Sequence, residues 1–150
     1  MANPDSVSQF YLDSFGNGRI GVVVATQLNT TGNAIITIPL LSGGLTKGAA
    51  ANSSGSVIVR RVTINNPSGS LSSANVSIST TSDGANLVCN AATLTSVTGV
   101  NTYQDLTIST AYTTTAVSGY TTQVLYVNVN AASTNANTAT ICVYGEVISF

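Results

Sequence analysis

Residues 74–80 read ANVSIST, a stretch in which apolar and small polar side chains alternate without a break. Because neighbouring side chains of a strand point to opposite faces, the apolar groups of this stretch all fall on one face. The pattern is typical of an antiparallel sheet that packs on the core with one face and leaves the other face outward. The side chains predicted to face the core are Ala74, Val76, Ile78 and Thr80.

Similar short stretches follow one another along most of the chain, separated by Gly, Asn, Asp and Ser residues typical of turns. About eight or nine short strands, with no helical window of convincing length, predict an all-β fold. We expect an antiparallel β-sandwich with a jelly roll as its form. The predicted strands are 19–28, 34–40, 57–64, 74–80, 87–90, 93–97, 104–110, 123–130 and 138–148. Further side chains predicted to face inward are Leu106, Ile108, Leu125, Val127 and Val129.

Residues 1–18 are predicted to form an N-terminal arm, and residues 19–150 a single β-sandwich domain. Phe10, Tyr11 and Phe15 cluster in this arm, and turn residues bound it on both sides. Two interpretations stay open, an arm that docks on a neighbouring subunit or a short edge strand on its own domain. The aromatic cluster favours docking, because chain termini fray unless something holds them. A surface loop is expected at 42–56, which has no periodicity.

Two adjacent arginines interrupt the predicted strand VIVRRVTI at 57–64, and they are half of the four Lys and Arg residues in the chain. By strict alternation Arg60 falls on the more apolar face and Arg61 on the other. An unpaired buried guanidinium costs several kcal/mol, so Arg60 is expected at the margin of the sandwich or beside a carboxylate. On this prediction the core-facing residues are Ile58, Val62 and Ile64, while Val57, Val59 and Thr63 share the face of Arg61.

The chain has five acidic residues, and two of them, Asp105 and Glu146, lie in or beside predicted strands. We expect these two carboxylates to be the partners of the arginine pair. The arginines then either extend along a sheet surface with their charged ends in water, or cross a contact between subunits, where arginine is enriched. The predicted interface residues are Phe10, Tyr11, Phe15, Arg60, Arg61 and Glu146.

Charged residues make up only 6% of the chain, against about 25% in a typical soluble domain, and the formal net charge is −1. Four basic residues are too few for the extended patch that nucleic-acid binding needs, and no stretch is long and apolar enough to span a bilayer. The chain has no His and no CxxC pair, so we expect no enzyme activity, metal site or cofactor. The absence of Trp disfavours carbohydrate stacking, although six tyrosines remain.

Cys89 and Cys142 are the only cysteines. The first eighteen residues lack a basic region followed by an apolar one, so no Sec signal peptide is expected. The two thiols are then expected to be small buried hydrophobes rather than a disulfide, with the bridge left open as an alternative.

Four stretches of the sequence, taken in their order along the chain, resemble small virion proteins of tailed phages. The stretches are VIVRRVTINNPSGSLSSANVSIST, LTSVTGVNTYQDLTIS, QVLYVNVN and ATICVYGEVISF. They resemble in particular the capsid decoration, or cement, proteins of marine and freshwater phages. The likeness covers roughly residues 56–150.

This resemblance implies a structural protein that is made in the host cytoplasm and sits on the outer surface of the virion capsid. Members of the family are β-sandwich modules that often form homotrimers. The implied partner is the major capsid protein, whose subunits such a module bridges against the pressure of the packaged DNA. The family has no catalytic residues, so the resemblance implies none here.

Two other classes of function compete with this one. A fibre-tip or lectin-like receptor-binding β-sandwich is the first alternative, although such a module usually follows a coiled-coil or collagen-like shaft, and no shaft is visible. A surface-layer or filament subunit is the second, and it usually carries an export signal. A glycan array and the copy number in virions separate these classes from a capsid clamp.

Overall fold

A computed structural model of the chain describes residues 18–40, 55–115 and 124–149. Within these residues the chain forms eight strands and one short helix. The strands are β1 (Gly18–Gln27), β2 (Gly32–Pro39), β3 (Gly55–Asn65), β4 (Asn75–Ser79), β5 (Leu87–Thr93), β6 (Tyr103–Leu106), β7 (Val124–Ala131) and β8 (Thr138–Ser149), and the helix is α1 (Thr110–Thr115). The arm predicted at 1–18 lies outside the described residues except for Gly18, with which β1 begins.

The eight strands form two four-stranded antiparallel sheets, one in the order β1-β8-β3-β6 and the other in the order β2-β7-β4-β5. The first strand pairs with the last, the second with the seventh, the third with the sixth and the fourth with the fifth. This nesting is a single long hairpin rolled into two sheets, which is the connectivity of an eight-stranded jelly roll. The predicted fold class is therefore confirmed.

Both open sides of the sandwich are bridged between the two sheets. On one side Gly21 of β1 pairs with Leu40, which follows β2. On the other side the chain leaves β6 and pairs with β5, where the amide of Asn90 donates to the carbonyl of Thr107 at 3.0 Å and the amide of Ser109 to that of Val88 at 2.8 Å. Edge strands invite pairing with other chains, and these bridges shorten the edges that are left unpaired.

The core lies between the sheets and is built from the side chains that alternation predicts. Ala74, just before β4, and Val76 and Ile78 of β4 are fully buried, as are Leu125 and Val127 of β7. Of the other residues predicted to face inward, Val129 and Leu106 are buried and Ile108 packs partly buried against the core. Thr80 and Ile58 are only half-buried and lie outside the core cluster, so for these two the prediction is wrong.

Three predictions about secondary structure are wrong. The strand predicted at 104–110 ends at Leu106, and Thr110 already belongs to the helix α1. Residues 94–97 do not continue as a strand, because β5 ends at Thr93 and the amide of Val97 turns back to the carbonyl of Leu94 at 2.9 Å. Leu94 and Val97 are nevertheless fully buried, so a buried turn imitates the apolar spacing of a strand. The helix α1 was not predicted either, because its sequence, TAYTTT, is rich in Thr, a weak helix former.

The strict alternation predicted for β3 is also wrong, because the strand contains a β-bulge. Val59 pairs with Gly145 of β8, and Arg61 pairs with the adjacent Tyr144. Arg60 is therefore an extra residue that has no pairing partner on β8. The bulge turns both Val59 and Val62 into the core, although they are three positions apart. Both arginines between them are thereby excluded from the core.

Gly145 is the residue of β8 that makes room for this bulge. A Cβ atom at position 145 would collide with the main-chain carbonyl oxygen of Ile58, which no side-chain rotation can relieve. The neighbouring strand β1 also shifts register here, since Arg19 pairs with Tyr144 and Gly21 with Val143. The centre of β8 is therefore flanked by an extra residue on each side.

Both cysteines are buried free thiols. Cys89 lies on β5 and Cys142 on β8, in different sheets, so the interpretation as buried hydrophobes holds for both. Burial raises the pKa of the Cys89 thiol far above its usual range, which keeps it protonated and unreactive. None of the helices among the described residues is long and apolar enough to cross a membrane.

Candidate functional site

Charge is distributed unequally between the two sheets. All charged residues of the described strands belong to the sheet β1-β8-β3-β6, which we call the charged sheet: Arg19, Arg60, Arg61, Asp105 and Glu146. The strands of the sheet β2-β7-β4-β5, which we call the neutral sheet, carry none. In a chain so poor in charge, this concentration makes the outer surface of the charged sheet the candidate functional site.

Arg61 forms the better-defined ion pair of this surface. Its Nε and Nη2 atoms each donate to one carboxylate oxygen of Asp105 on β6, both at 2.9 Å. The hydroxyl of Thr63 donates to the same carboxylate at 2.6 Å. The Arg61 side chain is 20% exposed, and a two-point contact of this kind fixes both direction and distance. Asp105 is therefore held in one orientation by β3.

Arg60 pairs with Glu146 on β8 through a single contact of 3.2 Å between Nε and Oε1. Both side chains are about half exposed, at 49% and 51%. An exposed pair of this kind contributes about 0–1 kcal/mol to stability, so it gains little by staying within the chain. The partners predicted for the arginine pair, Asp105 and Glu146, are confirmed within this chain.

A side chain of α1 forms a hydrogen bond with the backbone of the bulge. The backbone amide of Val59, just before the extra residue, donates to the hydroxyl of Tyr112 at 2.8 Å. Tyr112 is 2% exposed, so this bond lies in the core. A bulge interrupts the regular ladder of hydrogen bonds, and Tyr112 supplies the partner that the neighbouring strand does not.

A polar pocket of about 370 Å³ opens beside the Arg61–Asp105 pair. Its lining comes from three strands of the charged sheet and from the residues at the end of β3 and the start of β6. The lining consists of hydroxyl, amide and phenol groups together with one guanidinium: Arg61, Thr63, Asn65, Asn66, Asn101, Thr102, Tyr103 and Tyr144.

Tyr144 lies between two arginines in the register of the sheet, Arg19 on β1 and Arg61 on β3. Burial raises the pKa of its phenol, and the neighbouring thiol of Cys142 adds to the rise, whereas the two arginines oppose it. The hydroxyl therefore stays protonated at neutral pH and can both donate and accept a hydrogen bond.

The outer surface of the neutral sheet is chemically different, because its polar side chains bond one another. The Asn130 amide donates to Oδ1 of Asn75 at 3.0 Å, and the Asn75 amide donates to the hydroxyl of Thr93 at 3.0 Å. Asn128, which is 1% exposed, accepts from the amide of Ala34 and donates to the hydroxyl of Ser79, both at 2.9 Å. These groups leave little capacity for a ligand.

Among the residues that the structure describes, no group of three or more His, Cys, Asp or Glu side chains could hold a metal ion. Of the residues predicted for an interface, the structure brings Arg60 and Glu146 together and places Arg61 beside them on β3. Phe10, Tyr11 and Phe15 lie outside the described residues.

Sequence reasoning missed the residues of the pocket rim. Asn66 and Asn101 both adopt left-handed backbone conformations, with φ of 48° and 68°. The one sequence signal for such positions is the residue type itself, since Asn tolerates this conformation better than other non-glycine residues. Asn65-Asn66 and Asn101-Thr102-Tyr103 are separated by more than thirty residues in the chain, so no local pattern brings them together.

Comparisons of the chain with protein-family models, with curated proteins and with solved structures find no match. The functional interpretation therefore depends on the residues and their geometry.

Proposed function

We propose that this chain is a structural virion protein that decorates the outer surface of a phage capsid and stabilises it by bridging major capsid protein subunits. On this proposal it works as a homotrimer and catalyses no reaction. The resemblance of residues 56–150 to capsid decoration proteins motivates the proposal. Jelly rolls occur in viral capsid and lectin domains alike, so the fold is compatible with the proposal without deciding it.

The observation that carries the proposal is the division between the charged and the neutral sheet. The described strands hold all their charges on one sheet, and the other sheet satisfies its own polar groups. A clamp needs a rigid module with chemically distinct surfaces, so that each surface meets a different partner. Many such contacts, repeated over a symmetric assembly, give strong attachment without one strong site.

The Arg60–Glu146 pair is the candidate contact between copies of the chain. It is half exposed and contributes little within the chain, so exchanging its partners across a subunit contact has a small cost. In such a trimer Arg60 of one copy pairs with Glu146 of the next copy. This suits a symmetric assembly, because each of its interfaces then repeats the same pair. Arg61, by contrast, is held at two points by Asp105, whose carboxylate is also bonded by Thr63, so Arg61 is less available for exchange.

Binding to capsids tests the proposal. Heads of the phage that encodes this chain are prepared without it and are sedimented with the purified protein. We expect the protein to sediment with the heads to saturation and to raise their resistance to heat. Absence of binding to heads that bind their other components normally would contradict the proposal.

The predicted arm is tested with a chain that begins at Gly18, so that all of β1 remains. We expect this truncated chain to keep its melting temperature and lose its binding to heads, because the aromatic cluster of the arm is proposed to dock. A truncated chain that binds as well as the full chain excludes the arm as a docking element. A truncated chain that unfolds identifies the arm as part of the core instead.

The trimer contact is tested by light scattering on the variants Arg60→Glu and Glu146→Arg, alone and combined. We expect the unmodified chain to have three times the mass of one chain, each single variant to dissociate and the combined variant to reassociate. The combined variant restores opposite charges across the contact, whereas each single variant places like charges together. A single variant that remains a trimer excludes this pair from the interface.

A further inference from the structure

The pocket on the charged sheet is not part of the subunit contact proposed above, and its construction is that of a separate ligand site. Its volume of about 370 Å³ falls at the lower end of the range of small-molecule sites, about 300–1,000 Å³. It lies at the Asn65 end of β3, whereas Ile58, which pairs with Glu146, lies toward the other end. Neither Arg60 nor Glu146 lines the pocket.

The one charged side chain that lines the pocket, Arg61, is compensated. The guanidinium of Arg61 is bound at two points by the carboxylate of Asp105, which the hydroxyl of Thr63 also contacts. A phosphate or carboxylate ligand needs cationic donors that are available to it. The Arg61–Asp105 pair has no net charge, so it can form hydrogen bonds with a ligand but does not attract an anion. The described residues around the pocket also contain no metal-binding group. A neutral polar ligand fits this chemistry best.

The rest of the lining supplies both donors and acceptors. The amides of Asn66 and Asn101 and the hydroxyl of Tyr144 can each serve in both capacities, whereas the hydroxyl of Thr102 is bonded to the backbone of Gly99. Vicinal hydroxyl groups of a sugar likewise donate and accept at neighbouring positions. A surface of amides and hydroxyls can therefore pair with a sugar along its edge.

Tyr103 adds the aromatic surface that such a ligand needs. It lines the pocket and is 59% exposed, which is high for a large aromatic side chain. The face of an aromatic ring carries partial negative charge and attracts the polarised C–H groups on the apolar face of a sugar ring. Tyr103 thus supplies the aromatic stacking surface in a chain that has no tryptophan.

The backbone at the rim of the pocket has an unusual conformation. Asn66 and Asn101 are both left-handed, and such residues are found at binding sites. Ala25 and Ala34, which do not line the pocket, share this conformation, so it supports the site only together with the polar lining and Tyr103.

From these observations, the geometry points to a binding site for a neutral saccharide, in which Tyr103 stacks on the sugar ring and Asn66, Asn101 and Tyr144 contact its hydroxyls. The ion pair of Arg61 and Asp105 forms the polar wall. A single open site of this size binds a sugar with a dissociation constant on the order of 1 mM. Several copies on one particle multiply this affinity by avidity on a glycan-covered surface.

Saturation-transfer NMR on the full chain tests the site with glucose, galactose, mannose, N-acetylglucosamine, lactose and maltose as probes. We expect saturable binding of at least one of these sugars. Tyr103→Ala should weaken it about tenfold or more, because an aromatic anchor is lost. Asn101→Gly should also weaken it, because glycine keeps the left-handed backbone and removes only the amide.

Val100→Ala is the matched control, because Val100 is 67% exposed next to the pocket but does not line it. It should leave sugar binding unchanged, and the melting temperatures of all three variants should stay close to that of the unmodified chain. Absence of binding by every sugar at tens of millimolar overturns the inference. Equal losses in Tyr103→Ala and Val100→Ala overturn it as well, as does stronger binding of inorganic phosphate.

The outcome is independent of the proposal on capsid attachment. Tyr103→Ala should still bind heads like the unmodified chain, so a failure of sugar binding and a failure of head binding appear in different assays.

Discussion

The outer surfaces of the two sheets of this jelly roll are polar in different ways. Each sheet has to present a polar outer surface above a shared apolar core. The neutral sheet covers itself with Asn, Ser and Thr side chains that bond one another, as Asn128 does with Ser79. The charged sheet instead carries ion pairs on its surface and a polar pocket beside one of them. Register shifts occur in both sheets, so irregular pairing does not distinguish them.

The difference teaches that the surface free to bind is the one whose polar groups are not all bonded to one another. Side chains that satisfy one another have few donors or acceptors to spare. The bulge at Arg60 breaks the alternation of β3 and turns two arginines outward, and one of them, Arg61, lines the pocket. Bulges are common next to functional sites for this reason, because they redirect side chains that regular pairing would fix.

The comparison is tested most severely at Gly145. In Gly145→Ala the new methyl group meets the carbonyl oxygen of Ile58, so the bulge can form only if the backbone of β3 or β8 moves. We expect a loss of about 3 kcal/mol or more in the free energy of unfolding, or failure to fold. Chemical denaturation measures this loss.

Gly99→Ala is the control for that substitution, because a Cβ atom at Gly99 meets nothing within 4 Å. Its free energy of unfolding should change by no more than about 0.5 kcal/mol. Equal effects of the two substitutions would show that the charged sheet does not depend on the close approach at Gly145.

The neutral sheet should be most sensitive at Asn128. Asn128→Ala leaves the amide of Ala34 without its acceptor and removes a hydrogen bond to Ser79, in a position that is almost fully buried. We expect a loss of about 2–3 kcal/mol, measured by denaturation. Asn130→Ala, which removes an exposed amide from the same strand, should lose less than about 1 kcal/mol. A smaller effect at Asn128 than at Asn130 would mean that the surface bonds of this sheet do not stabilise it.

The two arginines of the charged sheet should differ in their contributions to stability. Arg61→Gln breaks a two-point, partly buried pair and should cost about 1–2 kcal/mol, whereas Arg60→Gln breaks a half-exposed pair and should cost less than about 1 kcal/mol. Denaturation at low and at high salt measures both. Added salt should reduce the contribution of the Arg60 pair more, because exposed charges are screened more strongly. Equal losses would remove the distinction between a structural and an exchangeable arginine.

The smallest expected effect lies in the turn between β4 and β5 of the neutral sheet. The hydroxyl of Thr81 and the amide of Ala85 donate to the Asp83 carboxylate, at 2.6 and 3.0 Å, and hold its pKa below the usual value of 3.8. The stabilisation is fully present above pH 3.8 and is lost as the pH falls through the lowered pKa. Asp83→Asn should flatten this acid limb of the stability curve slightly. An unchanged limb would exclude Asp83 as its source.

The strands and the core were predictable because both follow from local alternation. The inward positions of β4 and β7 need nothing beyond a period of two, and the structure confirms them at Val76, Ile78, Leu125 and Val127. Residues 94–97 show the limit of that signal, because a buried turn produces the same apolar spacing as a strand.

The bulge and the pocket were not predictable from local pattern. An extra residue in β3 depends on how β8 pairs with it, and on a glycine more than eighty positions away that allows the close approach. The pocket joins the end of β3 to the start of β6 and to Tyr144 of β8, which meet only through the jelly-roll connectivity. The sequence did indicate which carboxylates the arginines would meet, because the chain offers so few of them.

The measurement that tests the proposed function most directly is the copy number of this chain in purified virions, by quantitative mass spectrometry against the major capsid protein. A capsid decoration protein should be present on the order of hundreds of copies per particle, in a fixed ratio to the major capsid protein, because it repeats with the symmetry of the shell. About a dozen copies or fewer would contradict the proposal and place the chain in the tail or a fibre, where a receptor-binding module belongs.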